Sequence, residues 1–155
     1  MKVLFGDYAV YNGKEYDATG VCRGGIFLKS DDEIDREKGF EYDKDIRRYI
    51  LFVTPEAIEQ YFRRTILCKY RGYECSILSE EGATYRLWLK ACPPEEIRKT
   101  FERVDKLGYE KTVDKSEVED MRYKIAEYDL NVLRSEKREA ILREYVISAE
   151  TMEEI

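Results

Sequence analysis

Histidine is missing from this 155-residue sequence. Without an imidazole the chain cannot form a Ser-His-Asp or Cys-His catalytic arrangement, and it has no histidine general base. A zinc site is not expected either, because the cysteines have no Cys-x-x-Cys spacing; they are Cys22, Cys68, Cys75 and Cys92. We therefore predict no metal, no cofactor and no catalytic residue, and we interpret the cysteines as free thiols, mostly buried.

Long hydrophobic runs and an excess of basic residues are also missing. No stretch approaches the roughly 20 apolar residues of a membrane span, and Gly6-Asp7 follows the apolar Val3-Leu4-Phe5 too soon for a signal peptide. With free cysteines, this predicts a cytoplasmic protein that does not bind membranes. The net charge of −6, from 27 basic and 33 acidic residues, argues against nucleic-acid binding and fits a basic protein partner.

Tyrosine is abundant, with 13 residues, and it opens a stretch that the chain repeats. Tyr11-Asn12-Gly13-Lys14-Glu15-Tyr16 returns as Tyr70-Arg71-Gly72-Tyr73-Glu74-Cys75, and more loosely from Tyr123 to Tyr128. Asn-Gly between alternating apolar residues predicts a two-residue hairpin turn. Arg71-Gly72 is predicted to form the equivalent turn. We interpret the pattern as an internal duplication with a truncated third copy.

The same succession of predicted strands follows in the first two copies. Alternating strand formers predict strands over 8–11, 16–22, 26–28 and 49–53, and again over 65–70, 73–78, 85–89 and 109–113. The sequence therefore predicts an α+β, β-rich fold, in which a small antiparallel meander or barrel unit with short helices is duplicated. The predicted repeats are 1–64 and 65–122, with a truncated hairpin-helix unit over 123–155 packed on them.

Prolines and capping residues predict where helices begin. Thr54 and Pro55 open a helix with Ile58, Tyr61 and Phe62 on one face. Pro93-Pro94 opens the best-defined predicted helix, whose apolar stripe is Ile97, Phe101, Val104 and Leu107, before Gly108 as the C-terminal cap.

Two further short helices are predicted to follow strands. One begins after Asp114, which caps it together with Glu117, and the other begins after Ser148. The polar run from Arg134 to Glu139 is interpreted as a hairpin loop, with a helix over 135–146 as the alternative.

The stretch from Asp31 to Asp45 is rich in acidic residues. Ser30 and Glu33 could cap a short helix at its start. A calcium-binding loop does not fit, because counting from Asp31 places Arg36 where glycine is needed and Tyr42 where glutamate is needed. We therefore predict a solvated loop.

The repeated motifs resemble those of a mostly uncharacterised group of bacterial proteins with tandem small barrels of the Src-homology-3 type. In that group Tyr-x-Gly-x-Glu-aromatic opens each unit, and Gly-Phe-Glu or Gly-Tyr-Glu precedes the closing strand. Here these are Tyr11 to Tyr16, Tyr70 to Cys75 (where the aromatic residue is replaced), Gly39-Phe40-Glu41 and Gly108-Tyr109-Glu110. The resemblance covers 8–122 and implies tandem barrels. Because some such proteins are thought to lie near toxin systems, it also implies an immunity role.

Three glutamates recur with the motif, at Glu15, Glu74 and Glu127. They could supply a catalytic carboxylate pair, but cross-strand pairing with a lysine or arginine explains them more simply. The first tyrosine of each copy is similarly explained as a packing residue beside the turn.

Two functional classes remain. We favour a non-catalytic protein-binding module, an immunity or regulatory protein that masks a partner. The alternative is a small cytoplasmic enzyme that uses a carboxylate pair or a cysteine. Aromatic side chains supply contact area, and acidic groups speed encounter with a basic partner. The predicted binding residues are Tyr11, Tyr16, Tyr70, Tyr73, Asp31, Asp32 and Asp35.

Overall fold

The computed structural model describes residues 6–89, 93–106 and 108–148. It confirms a β-rich fold with few helices. The strands are β1 Gly6–Tyr11, β2 Lys14–Ala18, β3 Ile26–Ser30, β4 Glu41–Asp43, β5 Arg48–Val53, β6 Gln60–Tyr70, β7 Tyr73–Glu81, β8 Thr84–Leu89, β9 Glu102–Arg103, β10 Tyr109–Asp114, β11 Val118–Tyr128 and β12 Ile141–Ser148. The α-helices are α1 Glu95–Arg98 and α2 Leu130–Glu136, and 3-10 helices span Glu33–Lys38, Pro55–Ala57 and Lys115–Glu117.

The described chain divides into two compact units. Residues 6–64 and 125–145 form the first unit, and residues 65–124 and 146–148 belong to the second. β6, β11 and β12 each contribute residues to both units. The third predicted repeat, over 123–155, is thus divided between the two units in its described part.

The first unit contains the antiparallel strand order β4-β5-β3-β2-β1-β6. Alternate residues along each strand point to the same side of the sheet. The apolar residues on one side form the buried core of this unit. Its core residues are Ala9, Tyr16, Ala18, Ile26, Leu28, Phe40, Val53, Ile58, Tyr61, Tyr128 and Leu133. Burying each large apolar side chain stabilises the unit by roughly 1.5–3 kcal/mol before the entropy cost is subtracted.

Helix α2 completes the core of the first unit. Leu133 is fully buried within it. The Asp129 carboxylate caps the helix by accepting hydrogen bonds from the backbone N–H groups of Asn131 and Val132 at 2.9 and 3.2 Å. Arg134 donates to the carbonyl oxygens of Pro55 and Ile58, at 3.2 and 3.0 Å, and ties the helix to the chain before β6.

The second unit has the antiparallel order β6-β7-β8-β10-β9. Cys68 lies opposite Cys75 in the β6–β7 pair, and both are buried. Other buried residues of this unit are Ile66, Tyr70, Ile77, Tyr85, Leu87, Leu89, Ile97, Phe101, Val113 and Tyr123. This core explains the apolar residues that the sequence places at alternate positions of these strands.

Both predicted hairpin turns are present and have the same backbone conformation. Asn12 and Gly13 have φ values of 50° and 76°, and Arg71 and Gly72 have φ values of 52° and 83°. Positive φ at both central positions is the requirement of a type I′ turn, whose twist matches that of the flanking strands. The β1–β2 and β6–β7 hairpins are therefore confirmed.

The predicted helix with Ile58, Tyr61 and Phe62 on one face is wrong. Only Pro55–Ala57 is helical, as a single 3-10 turn, and β6 begins at Gln60. Tyr61 and Phe62 are adjacent in a strand, so they point to opposite faces, and both are buried. A strand covered on both faces has no alternation of polar and apolar residues, which is why helical spacing fitted it.

The other helix predictions also need correction. The helix from Pro93 is one turn, α1, followed by the short strand β9, and Leu107 lies outside the described residues. The interpretation of 134–139 as a hairpin loop is confirmed in part: the segment joins the paired strands β11 and β12, but α2 occupies its first half. The alternative helix over 135–146 is wrong, since β12 begins at Ile141. The cap of Asp114 with Glu117 is confirmed, on a 3-10 turn. The helix predicted after Ser148 lies outside the described residues.

The acidic stretch is exposed over most of its length, as predicted for a solvated loop, but it contains a 3-10 helix and the strand β4. Its 3-10 helix is capped by Asp32 rather than by Ser30, and Asp35 is completely buried in the first unit. The Asp35 carboxylate accepts hydrogen bonds from Ser30 and from the Tyr16 hydroxyl, the latter at 3.0 Å. The ammonium groups of Lys14 and Lys38 lie 3.1 and 3.4 Å from its oxygens.

These partners keep Asp35 ionised. Burial by itself would raise the pKa of the Asp35 carboxyl, but hydrogen bonds from Ser30, Lys14 and Tyr16 favour the charged form and lower the pKa from 3.8 to about 2. Because this folded-state pKa lies below the unfolded value, ionised Asp35 stabilises the fold above about pH 4. That contribution is lost as the pH falls towards 2.

We predict that Asp35→Asn lowers the free energy of unfolding at pH 7 by about 2 kcal/mol, the equivalent of the pKa shift. Chemical denaturation at pH 7, 4 and 2 measures it, and the difference from wild type should shrink at the lowest pH. The control Asp31→Asn, at a largely exposed carboxylate, should change stability by less than about 0.5 kcal/mol. Equal effects of the two substitutions at pH 7 would contradict the role of Asp35.

We predict that Gly13→Val lowers the free energy of unfolding by about 1–3 kcal/mol. No neighbouring atom lies within 4 Å of an added Cβ, so the cost comes from the positive φ alone. Asn12→Gly is the matched control, because glycine accepts the same φ without strain. An unchanged denaturation midpoint for Gly13→Val would mean that the turn does not hold this conformation in solution.

Candidate functional site

The repeated glutamates form ion pairs, as the simpler interpretation of the sequence expected. Glu15 accepts two hydrogen bonds from Arg64, both at 3.0 Å. Glu74 pairs with Arg122. Glu127 accepts from the Nε and Nη2 atoms of Arg143, at 2.6 and 3.0 Å. Each carboxylate is thus paired with a guanidinium group rather than with a second carboxylate.

The tyrosines predicted to bind a partner are mostly internal. Tyr16 and Tyr70 have exposed fractions of 4% and 1%, so the prediction that they are contact residues is wrong. The hairpin register turns their rings into the two cores, where Tyr70 packs edge-on against Phe101 with ring centroids 5.9 Å apart. Tyr11 and Tyr73 are half-buried.

The predicted acidic contact residues separate into exposed and buried ones. Asp31 and Asp32 are exposed, whereas Asp35 has no exposed surface and cannot contact a partner. Asp31 lies in a shallow polar groove, of about 260 Å³, where Arg48 bonds both Asp31 and Asp17 at 2.8 and 2.7 Å. The charges of this groove therefore largely satisfy one another.

Two cysteines can be assessed as nucleophiles. Burial raises the pKa of the Cys68 thiol to about 11 and that of Cys75 to about 12. At neutral pH such thiols are almost entirely protonated and react slowly. Cys22 is exposed, and Cys92 lies outside the described residues.

Strand β12 carries three large apolar side chains of the first unit that are exposed; the others exposed among the described residues of this unit are Ile34, Tyr42, Ile46 and Phe52. Ile141, Leu142 and Tyr145 have exposed fractions of 55%, 63% and 41%. We call these three residues the β12 surface. Ile141 and Tyr145 lie on one side of the strand and Leu142 on the other. Exposed large apolar side chains on a strand can mark an interaction site.

A cleft of about 290 Å³ adjoins this surface. Its apolar wall comprises Tyr61, Phe62, Tyr128, Leu130 and Leu142. The rings of Tyr61 and Tyr128 stack within this wall, with centroids 4.5 Å apart. Its polar lining comprises Gln60, Glu127, Asp129, Asn131 and Arg143.

An ion-pair network fixes β12 beside the cleft. In addition to its two bonds from Arg143, Glu127 accepts a hydrogen bond from the Tyr145 hydroxyl at 3.2 Å. Hydrogen bonding from Arg143 lowers the pKa of the Glu127 carboxyl, against the opposing effect of burial. The network orients Tyr145 and Arg143 and uses both oxygens of Glu127.

Sequence reasoning missed the β12 surface. The sequence pattern assigns Ile141 and Leu142 to no predicted strand and to no face. The available signal was their position directly after the polar run that ends at Glu139.

Within the described residues, no helix has the length and apolar character needed to cross a membrane.

Comparison with curated proteins and with solved structures finds no match to this chain. A family model described as "Uncharacterised conserved protein UCP033725" matches residues 3–142. This match includes every repeated motif and all the residues that line the cleft except Arg143. Because it spans most of the sequence, the chain belongs to the family of uncharacterised conserved proteins UCP033725.

Proposed function

We propose that this protein is a non-catalytic protein-binding module whose partner docks on the β12 surface. The observation that carries the proposal is the exposure of Ile141, Leu142 and Tyr145 beside a cleft with an apolar wall. Large apolar side chains at the centre of an interface supply most of the binding free energy. Their exposure in the free chain costs solubility, which a binding role would explain.

The charges around the chain support the same proposal. A net charge of −6 would speed encounter with a basic partner, and exposed carboxylates such as Asp31 would contribute to that long-range attraction. The enzymatic alternative receives less support, because the three repeated glutamates are held by arginines and two thiols have raised pKa values.

The finer parts of the hypothesis concern origin and biological role. The identical turn conformations at Asn12-Gly13 and Arg71-Gly72 support an internal duplication, in which each copy would be a small barrel-like unit. A duplicated scaffold that exposes one apolar strand surface fits an immunity or regulatory protein that masks its partner. We propose this role in a bacterial cytoplasm.

We predict that the double substitution Ile141→Thr and Leu142→Thr weakens partner binding at least tenfold. Threonine keeps the strand propensity of β12 but removes apolar contact area. The wild-type chain would be used to isolate a partner from the native host. After identification by mass spectrometry, the purified partner would be titrated against both chains by calorimetry.

Ile46→Thr is the matched control, because Ile46 is exposed to a similar extent, 47%, but lies outside the β12 surface. It should bind within about twofold of wild type. Equal affinity of the double variant and wild type would contradict docking at β12. Substrate turnover by the purified chain would contradict the non-catalytic role.

A further inference from the structure

We propose that the cleft beside β12 binds one large apolar side chain of an extended partner segment, and that Asp129 binds a lysine or arginine next to it. This inference rests on the proposed function, and it specifies the chemistry of the partner. The occupant would thus be a strand-like segment with an aromatic or leucine anchor and a basic neighbour.

The size of the cleft favours a side chain over a larger ligand. Its volume of about 290 Å³ is at the lower limit of small-molecule pockets, which are roughly 300–1,000 Å³. The wall combines the stacked Tyr61 and Tyr128 with Phe62, Leu130 and Leu142. Such a wall suits an aromatic ring or a leucine, and burying either one contributes roughly 1.5–3 kcal/mol.

The position of β12 favours an extended segment. Among the described strands, β12 pairs with β11 alone. An added strand gains affinity from main-chain hydrogen bonds, and its alternate side chains enter neighbouring pockets. Leu142 and Arg143 belong to β12 and also line the cleft, so a segment lying along β12 would reach the cleft with a side chain.

The charge at the cleft favours a basic neighbour to the anchor. The lining contains two carboxylates, Glu127 and Asp129, and one guanidinium group, that of Arg143. Arg143 and Tyr145 occupy both oxygens of Glu127. Asp129 uses its Oδ1 atom to cap α2, and no hydrogen bond within the described residues engages its Oδ2 atom. Asp129 is half-buried, and its Oδ2 atom can accept a bond from a partner ammonium or guanidinium group.

Peptide titrations test the proposal with the full chain. The probe is the acetylated and amidated peptide lysine-valine-phenylalanine-valine-lysine, added to isotope-labelled protein and followed by two-dimensional NMR. We expect saturable shifts of backbone signals around Phe62, Asp129 and Leu142. The same peptide with alanine in place of phenylalanine should bind at least tenfold more weakly. A peptide with glutamates in place of the lysines should bind severalfold more weakly, with a smaller difference at high salt.

Asp129→Asn tests the charge without removing the helix cap, because asparagine caps a helix as well as aspartate. This substitution should weaken binding of the lysine-containing peptide severalfold. The preference for phenylalanine over alanine should remain unchanged. Asp114→Asn is the matched control: Asp114 caps a 3-10 helix of the second unit, and its substitution should leave peptide affinity unchanged.

Several results would overturn the proposal. These are equal affinity of the phenylalanine and alanine peptides, no saturable shift up to about 10 mM peptide, or the same shifts on concentrating the chain alone, which would make a second copy the occupant. An equal effect of Asp129→Asn and Asp114→Asn on peptide affinity would contradict the proposed contact between Asp129 and a basic residue of the partner. None of these results affects binding of a partner through Ile141 and Leu142, which calorimetry with the double variant measures separately.

Discussion

The structure depends on strand register, which the two type I′ turns set. Asn12 and Gly13 adopt positive φ, as do Arg71 and Gly72, and each turn pairs its flanking strands without a shift. A register change of one residue would move every side chain of a strand to the opposite face. The turns therefore decide which side chains enter the cores and which remain outside.

The same register separates structural from available side chains. It buries Tyr16 and places the neighbouring Glu15 on the outer face, where Arg64 binds it. Buried Asp35 then satisfies the Tyr16 hydroxyl, because a buried polar group without a partner would be costly. Most conspicuous tyrosines and acids of the sequence are thus used within the fold. The β12 surface differs, since its apolar side chains are exposed to solvent.

The sequence predicted features that depend on local conformation. The hairpin turns at Asn12-Gly13 and Arg71-Gly72, the cap at Asp114 and most strands were predicted, because glycine, asparagine and capping carboxylates act within a few residues. The helix predicted over Tyr61 and Phe62 failed because both faces of β6 are covered, and that burial depends on distant parts of the chain. The burial of Asp35 was unpredictable for the same reason, since its partners Lys14 and Tyr16 belong to β2, which is distant in the sequence.

The candidate site was harder to predict than the fold. Its residues come from β6, β11, α2 and β12, so only the folded chain brings them together. The exposure of Leu142 depends on which strands pair with β12, and a hydrophobic residue in a sequence gives no sign of being left outside a core. In the sequence, nothing distinguishes Asp129 from the other acidic residues, of which there are 33 in all. Its position beside an apolar wall is visible only in the folded structure.

Hydroxyl-radical footprinting of the free chain tests the central claim most directly, because it measures the solvent access of individual side chains by mass spectrometry. The account predicts strong modification of Leu142 and Tyr145 and protection of Tyr16, Tyr61 and Tyr70, in accord with their burial. Tyr16 and Tyr61 modified as strongly as Tyr145, together with a protected Leu142, would contradict both the register and the exposed β12 surface.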